Sequence, residues 1–313
     1  MNYFNIIFFV SSFCTLASCQ SDKVQENFVT ENVVIIVVDG PRYSEAWGDP
    51  THANIPNLDT LLSEGVFFPN FINSGDTRTI PGHAALTTGV YEDLDNWGAD
   101  TPANPSFFQC WAKEFGANPN QSWIIASKDK LAMLGNCTRK KWAGEFLPSM
   151  HCGVNGQGYL SGYQDDSLTV QQGLVILGTH HPKLTLFNLR EPDFSGHGGN
   201  WNDYLIALQK SDAYVRQIVD FINSDPIYTG KTTIFITSDH GRHLNGVAEG
   251  FSGHGDNCDG CRRIGLLAIG PDFKPGRVVE TEYNQTDLPA TIARMLHFKM
   301  RFGDGRSMYE LFD

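Results

Sequence analysis

The sequence has little positive charge. Its 313 residues include 23 Lys and Arg against 35 Asp and Glu, giving a formal net charge of −12 at pH 7. Proteins that bind nucleic acids or anionic membrane surfaces use clustered Lys and Arg. The composition therefore argues against a nucleic-acid-binding surface, and it supplies many acidic side chains of the kind that serve metal ions.

Long apolar runs are also missing, as are internal repeats and low-complexity segments. The first eighteen residues carry no charged side chain, and their apolar run at residues 4–10 is too short to span a bilayer. This pattern predicts a signal peptide over residues 1–18. The following LASC at residues 16–19 resembles a bacterial lipobox, which would make Cys19 the lipidated first residue of the mature protein. An ordinary cleavage site is the alternative.

We therefore expect a protein of the bacterial cell envelope, lipid-anchored in the periplasm or at the outer-membrane surface. Residues 19–31 would form a short polar linker. Residues 32–313 would form a single domain, because 41% of the chain is hydrophobic and 12% aromatic, enough for one large core. Surface insertions are expected near 91–119 and 137–162, where they could wall a pocket.

Cysteine is scarce, and Cys14 and Cys19 fall in the N-terminal segment. The remaining five are Cys110, Cys137, Cys152, Cys258 and Cys261. Outside the cytoplasm such cysteines favour disulfides. We expect Cys258 and Cys261 to close a small loop and two of the other three to pair, which leaves one free thiol. A structural zinc site formed by the later cysteines is the alternative, weakened by the presence of only one C-x-x-C.

Short apolar runs rich in β-branched residues alternate with helical patterns. The predicted strands are Val33–Val38, Trp123–Ala126, Leu184–Asn188, Thr232–Thr237 and Leu266–Ile269. The predicted helices are Asn57–Glu64, Gly82–Thr88, Asn202–Asn223 and Asp287–Met295. Apolar strands that alternate with helices predict a three-layer α/β/α sandwich around a mainly parallel, doubly wound sheet.

Polar side chains follow four of these strands. They are Asp39, the segment SKDK at residues 127–130, Asp193 with His197, and Asp239 with His240. Ligands of open parallel sheets bind at the carboxyl ends of the strands. We expect Asp39, Asp239 and His240 to form one metal site there, and a second from Asp193, His197 and His254. Taken singly, an Asp-Gly is usually a turn and a lone His is usually packed or solvated.

Thr79 precedes Pro81 at the start of a predicted helix, in the segment SGDTRTIPGHAALTTG. Proline suits the first turn of a helix, and the free N–H groups of that turn favour a phosphate. Two interpretations follow. Thr79 is either a nucleophile beside a bound phosphate or the N-cap of the helix, the commonest role of a threonine at this place.

The order of these motifs resembles the alkaline phosphatase superfamily, in particular its branch of nucleotide pyrophosphatase/phosphodiesterases and phosphate-irrepressible alkaline phosphatases. The resemblance runs from about Asn32 to the C-terminus. It rests on Asp39-Gly40, Thr79-x-Pro81-Gly82-His83, Lys128-Asp129-Lys130, Asp193-x-x-x-His197, Asp239-His240-Gly241 and His254-Gly255.

The resemblance implies two divalent metal ions, most readily zinc, bound by the two residue sets above. Thr79, in contact with the first metal, would be the nucleophile and form a phosphothreonine that is then hydrolysed. Sulfatases share this fold, but they need Cys or Ser at the first position and Arg at the fifth position of the segment that reads Thr79-Ile80-Pro81-Gly82-His83 here. His83 matches a position that is usually structural.

Lys128 and Lys130 bear on the choice of substrate, a small phosphorylated molecule. On an extended segment they would point the same way and contact the nonbridging oxygens of a phosphate dianion; a solvated pair is the alternative. The resemblance therefore favours a phosphate monoester hydrolase. A phosphodiesterase, a phosphonoacetate-hydrolase-like enzyme and a noncatalytic metal-binding lipoprotein are the alternatives. The family also uses an asparagine to hold a phosphate oxygen, and Asn96 and Asn104 both fit.

Overall fold

The computed structural model describes Met1 and residues 26–312. Apart from Met1, the predicted signal peptide lies outside the described residues, as does Cys19. Within residues 26–312, none of the helices combines the length and the apolarity needed to cross a membrane.

Strands and helices alternate along the described residues. The strands are β1 (Asn32–Asp39), β2 (Val66–Phe68), β3 (Phe71–Ile72), β4 (Ser122–Ala126), β5 (Ser149–Cys152), β6 (Leu184–Pro192), β7 (Thr232–Thr237), β8 (Leu266–Ile269), β9 (Arg277–Val278) and β10 (Tyr283–Asn284). The helices are α1 (Pro56–Leu62), α2 (Thr79–Thr88), α3 (Phe107–Phe115), α4 (Asp166–His180), α5 (Asp193–His197), α6 (Trp201–Ser224), α7 (Asp259–Arg262) and α8 (Asp287–Met295).

Eight of the strands form one sheet in the order β5-β4-β6-β1-β7-β8-β2-β9. The first five are parallel neighbours, with Ile35 of β1 opposite Leu186 of β6 and Phe235 of β7. β8 runs antiparallel to both β7 and β2. The carboxyl ends of β4, β6, β1 and β7 therefore lie side by side at one edge, as the sequence predicted.

Helices cover both faces of the sheet. Successive side chains of a strand point to opposite faces, so Ile35 packs in a core with α2, α3 and α8, whereas Ile36 packs in a second core with α1, α4 and α6. Every residue of β1 is buried. The predicted three-layer α/β/α sandwich with a mainly parallel sheet is confirmed.

Helix α3 shows where the sequence interpretation of segment 91–119 falls short. The segment is rich in Asp, Asn and Pro, but Phe107 and Trp111 of α3 are buried in the first core. Apolar residues recur at helical spacing in FFQCWAKEF, so a pattern was present. Only part of 91–119 is thus a surface insertion.

The predicted disulfides are not formed within the described residues, where all five cysteines are free thiols. Cys110, Cys137 and Cys152 each pack as small apolar side chains in the first core. Cys152 at the end of β5 points to the carbonyl oxygen of Ile124, 3.7 Å from its sulfur. Cys258 and Cys261 lie next to each other, but beside His243 and Asp256 rather than joined.

Candidate active site

The first cluster of candidate metal ligands is formed where β1 and β7 end. Asp39 is the last residue of β1, and Asp239 and His240 follow β7, its parallel neighbour. All three are fully buried, and their ligand atoms lie within 4.8 Å of one another. His240 Nε2 is 3.5 Å from Asp39 Oδ1 and 3.4 Å from Asp239 Oδ2. The structure therefore brings together the first predicted ligand set.

The donor atoms of this first cluster fit a cation. His240 Nδ1 lies 2.9 Å from the carbonyl oxygen of Gly241, so Nδ1 donates there and Nε2 keeps its lone pair. Burial lowers the pKa of His240 to about 3, which keeps the imidazole neutral. His240 Nε2 and Asp239 Oδ2 are buried without a hydrogen-bond partner. Buried polar atoms are rarely left unpaired, and a divalent metal ion would satisfy both.

The second cluster lies on a short helix and a loop. Asp193 begins α5, His197 ends it one turn later, and His254 comes from the loop after β7. The Nε2 atoms of both histidines are 3.3 Å from Asp193 Oδ1 and 3.1 Å from each other. Burial alone would raise the pKa of Asp193, but the Lys128 charge and the hydrogen bonds from the histidines hold it well below its usual range. The carboxylate is thus ionised and available as a ligand.

The two clusters adjoin each other. The rings of His240 and His254 stack with centroids 3.9 Å apart. Gly40 lies between the clusters with a positive φ of 61°, and a Cβ there would lie 2.9 Å from Asp193 Cβ and 3.0 Å from His240 Cε1. Only glycine allows this approach of β1 to the second cluster.

Thr79 is the first residue of α2, three residues earlier than the predicted start of that helix. Arg78 occupies the N-cap position, so the N-cap interpretation of Thr79 is wrong. The Oγ1 atom of Thr79 lies 3.2 Å from Lys128 Nζ. A Cβ on Gly82 would lie 2.5 Å from the carbonyl oxygen of Asp239, so Gly82 lets the start of α2 pack against the first cluster.

Lys128 connects the nucleophile candidate with both clusters. Its ammonium group, 2% exposed, is 2.9 Å from Asp39 Oδ1 and 2.7 Å from Asp193 Oδ2. Burial alone would lower the pKa of Lys128, but the nearby carboxylates, led by Asp193, raise it above its usual value. These carboxylates favour the ammonium form of Lys128 beside Thr79 Oγ1.

Lys130 turns to a different partner. The predicted extended segment is instead the start of a 3-10 helix, Asp129–Gly135. Lys130 Nζ donates to the carbonyl oxygen of Asn96 at 3.0 Å, and Asn96 Oδ1 accepts the backbone N–H of Ile80 at 3.0 Å. Burial, and then the charge of Lys128, lower the pKa of Lys130 to about 8. The structure thus brings Asn96 and Lys130 to the residue that follows Thr79.

Asn104, the other asparagine that fits the family pattern, lies elsewhere. Its Nδ2 donates to Glu92 Oε1 at 3.0 Å, and its Oδ1 accepts from Arg139. Asn96 also lines a cleft of about 490 Å³ together with Trp97, Lys130, Tyr159, Leu160 and Tyr163. Both predicted surface insertions contribute to this cleft, which opens beside Lys130.

Several residues that position the site were not singled out from the sequence. Arg242 is fully buried, and its guanidinium contacts Asp193 Oδ1 and donates to the carbonyl oxygen of Ser252 at 2.9 Å. Asn188 Nδ2 donates to Asp39 Oδ2 at 3.0 Å. A polar residue near the end of an apolar strand was the available signal for Asn188. Nothing in DHGR distinguishes a buried arginine from a solvated one.

His83 lies behind the nucleophile candidate, as a structural residue would. Its Nδ1 is 2.8 Å from the carbonyl oxygen of Thr79 and 3.2 Å from Asp239 Oδ2, and its side chain is fully buried. These contacts join the first turn of α2 to the first cluster.

Two family models match parts of this chain. The model of the type I phosphodiesterase/nucleotide pyrophosphatase family matches residues 33–94, which include Asp39 and Thr79. The model of the sulfatase family matches residues 150–298, which include the other candidate ligands. The first match thus covers the candidate nucleophile Thr79, and the second does not.

Among curated proteins, ectonucleotide pyrophosphatase/phosphodiesterase family member 1 of Mus musculus is 25% identical over 246 residues, covering 72% of this chain and 26% of its own. The human bis(5'-adenosyl)-triphosphatase is 25% identical over 198 residues, covering 59% of this chain and 43% of its own. The chain thus spans about a quarter of the length of the first of these relatives.

Solved structures show the same fold. A phosphonate monoester hydrolase from Silicibacter pomeroyi aligns with a TM-score of 0.65 at 15% identity, over 90% of this chain and 76% of its own. A protein of the alkaline phosphatase superfamily from Vibrio parahaemolyticus aligns with a TM-score of 0.65 at 17% identity, over 90% of this chain and 70% of its own.

The fold and the matched families define a class of enzymes that hydrolyse phosphate or sulfate esters. The chain is similar in sequence to nucleotide pyrophosphatase/phosphodiesterases and shares its fold with a solved protein of the alkaline phosphatase superfamily. The family resemblance drawn from the sequence is therefore confirmed.

Proposed function

We propose that this protein hydrolyses phosphate monoesters, with Thr79 as the nucleophile and two zinc ions as cofactors. The observation that carries the proposal is the position of Thr79 Oγ1, 3.2 Å from Lys128 Nζ, whose ammonium group also contacts Asp39 of one cluster and Asp193 of the other. Asp39, Asp239 and His240 would hold one ion, and Asp193, His197 and His254 the second. When bound, two such ions supply Lewis-acid stabilisation of the attacking and departing oxygens.

The residues around Thr79 favour its attack on phosphorus. A hydrogen bond from the Lys128 ammonium stabilises the alkoxide form of Thr79 Oγ1. The N-terminus of α2 lies at Thr79, and the partial positive charge of the helix there favours a phosphoryl group. The new bond joins Oγ1 to phosphorus while the bond to the departing alcohol breaks. Water then releases phosphate from phosphothreonine and restores Thr79.

The charges near Thr79 support a monoester as the substrate. A monoester dianion carries one more negative charge than a diester, and Lys128 and Lys130 supply two cations. They lie close enough that, after burial, the charge of Lys128 contributes to lowering the pKa of Lys130. Asn96, bonded to Lys130 and to the backbone N–H of Ile80, is the asparagine we assign to a phosphate oxygen. The open cleft beside Lys130 would take the alcohol.

A diester is the second candidate, favoured by two observations. The phosphodiesterase family model covers Thr79, and the matched relatives are named as pyrophosphatases and phosphodiesterases. In addition, the cleft of about 490 Å³ has room for a second ester group.

A sulfate ester is disfavoured by the nucleophile segment. Thr79 stands where sulfatases need Cys or Ser, and His83 stands where they need Arg. The His83 ring contacts the carbonyl oxygen of Thr79 and Asp239 Oδ2. The match to the sulfatase family begins at residue 150 and leaves this segment out.

A trapped intermediate tests the proposal. Zinc-loaded protein is mixed with a ³²P-labelled aryl phosphate and quenched in acid, and the labelled peptide is identified. We expect label on Thr79 in the wild type and none in Thr79→Ala. Thr88→Ala is the matched control, because Thr88 is a buried threonine of the same helix whose Oγ1 only bonds backbone. Turnover without label on Thr79, or unchanged turnover in Thr79→Ala, would overturn the proposal.

We also propose that the protein is lipid-anchored in the bacterial cell envelope through Cys19. The support is the LASC sequence that ends the predicted signal peptide. Labelling of cells with a palmitate analogue tests this, with Cys19→Ser as the comparison. Equal labelling of both proteins would contradict it.

A further inference from the structure

A third group of potential metal ligands lies outside the two clusters of the active site. His243, Asp256, Cys258 and Cys261 each offer one ligand atom, and these atoms all lie within 4.8 Å of one another. Tetrahedral zinc with thiolate and imidazole ligands spaces its donor atoms by about 3.3–3.8 Å, so a small contraction of the group would suffice. The mechanism proposed above uses none of these four side chains.

The two cysteines are presented by one turn of the chain. Cys258 is the N-cap of α7, and the N–H of Cys261 donates to the carbonyl oxygen of Cys258 at 3.0 Å. A C-x-x-C on such a turn directs two sulfurs to one point, as structural zinc sites require. Asp256 is fixed beside them, because its Oδ1 accepts the N–H of Cys258 at 2.9 Å.

His243 provides the independent observation. Its side chain is 5% exposed, and neither ring nitrogen has a hydrogen-bond partner. Nε2 faces the group, 3.3 Å from Asp256 Oδ2, and Nδ1 lies 3.3 Å from Glu249 Oε2. Histidines that bind metal commonly direct the other ring nitrogen to a carboxylate, which fixes the orientation of the ring. Glu249 is placed for that role.

The backbone holds His243 against the cysteine turn. The N–H of Gly241 donates to the carbonyl oxygen of Cys261 at 2.7 Å, and a Cβ on Gly241 would lie 2.1 Å from the carbonyl oxygen of Gly260. His243 N–H donates to Gly253 O at 3.0 Å. Main-chain contacts therefore hold His243 beside the turn that carries the two cysteines.

We propose that His243, Asp256, Cys258 and Cys261 bind a structural zinc ion, distinct from the two metal sites of the active site. Two thiolates, an imidazole and a carboxylate form a closed set of four ligands that suits zinc and leaves no position for substrate. His254 lies in the chain segment between two of these ligands, His243 and Asp256. Its Nδ1 is 2.8 Å from the carbonyl oxygen of Thr77. Zinc at this site would thus hold a ligand of the second cluster in place.

Metal content and a thiolate-specific spectrum test this inference in the full-length protein. Zinc per chain is measured in the wild type, in Cys258→Ser/Cys261→Ser and in Cys110→Ala, a buried cysteine outside the group. We expect the double variant to contain one zinc fewer per chain and the control to match the wild type. Equal zinc in all three proteins would overturn the inference.

Cobalt replacement separates this site from the active site. Thiolate–cobalt charge-transfer absorption should be present in the wild type and in Asp193→Ala, which lacks a ligand of the second cluster, and absent in the double variant. If the double variant fails to fold, Asp256→Asn takes its place, because Asp256 is an exposed ligand. Cobalt binding should be weaker in this variant than in the wild type. This absorption does not depend on turnover, so an inactive enzyme would refute the proposed function alone. A wild type without it, or with Cys258 and Cys261 oxidised to a disulfide, would refute the zinc site.

Discussion

The two clusters of candidate metal ligands differ in how the fold supports them. The first is completely buried and is built on the ends of two central strands, β1 and β7. The second is built on a helix of five residues and a loop, and the side chain of His197 is 51% exposed. Ligands fixed by the sheet are preorganised, whereas ligands on loops must be held by their neighbours. We therefore expect the first site to retain its metal more firmly.

Removal of Asp39 should have the most severe effect. Asp39→Ala deletes a ligand of the first cluster and an ion-pair partner of the buried Lys128, so we expect kcat/KM to fall by roughly 10³-fold or more. The free energy of unfolding should fall by about 3 kcal/mol, because a buried charge loses a partner. Zinc content, kinetics and urea unfolding measure these effects. Asp59→Ala, at a half-exposed carboxylate, is the control. Near-normal activity in Asp39→Ala would contradict the assignment.

Removal of His197 should be milder and reversible. His197→Ala deletes the most exposed candidate ligand, so the affinity for zinc should drop by at least the roughly 10- to 100-fold lost when a residue that only supports a ligand is removed, and excess zinc should restore most activity. Titration of activity against free zinc measures the shift. Asp39→Ala should not recover under the same conditions. Equal rescue of both variants by excess zinc would contradict the expected difference in how firmly the two clusters retain their metal.

Replacement of Lys130 should alter selectivity rather than metal content. Lys130→Met removes one of the two cations near Thr79, so the preference for a monoester over a diester should fall by roughly tenfold. Lys140→Met, at an exposed lysine, is the matched control. The ratio of kcat/KM for the two substrates is the measurement. An unchanged ratio would mean that Lys130 does not contact the substrate.

The pH dependence of this ratio should reflect the same lysine. Because the pKa of Lys130 is lowered to about 8, its ammonium is present below pH 8 and lost as the pH rises through that value. The monoester preference should therefore decline on the alkaline side, and this decline should vanish in Lys130→Met.

The same lowered pKa of Lys130 should make the free energy of unfolding increase, rather than decrease, on the alkaline side. Between about pH 8 and the ordinary lysine pKa the unfolded chain binds more protons, so the Lys130 contribution to the free energy of unfolding rises with pH.

The sheet and the ligand positions were predictable because they depend on local patterns. The strands Thr232–Thr237 and Leu266–Ile269 and the helix Asp287–Met295 were predicted with the bounds that the structure has. Apolar, β-branched runs mark buried strands, and the rule that polar residues gather at carboxyl strand ends pointed to all the candidate ligands except His254, which lies in a loop.

Other features depend on tertiary packing and had no local signal. The burial of Arg242 against Asp193 and the contact of Lys130 with Asn96 arise from contacts between distant segments. The grouping of His243 with Cys258 and Cys261 depends on the contact of Gly241 with Gly260. For the cysteines, the expected compartment favoured disulfides, whereas the fold places the C-x-x-C beside a buried histidine.

The most direct test is the ratio of hydrolysis rates for a phosphate monoester and a phosphate diester with the same aryl leaving group. The measurement uses zinc-loaded protein, with Thr79→Ala as the blank. We predict a clear preference for the monoester that falls when Lys128 or Lys130 is replaced. A preference for the diester, unaffected by either replacement, would contradict the assignment and make the protein a phosphodiesterase.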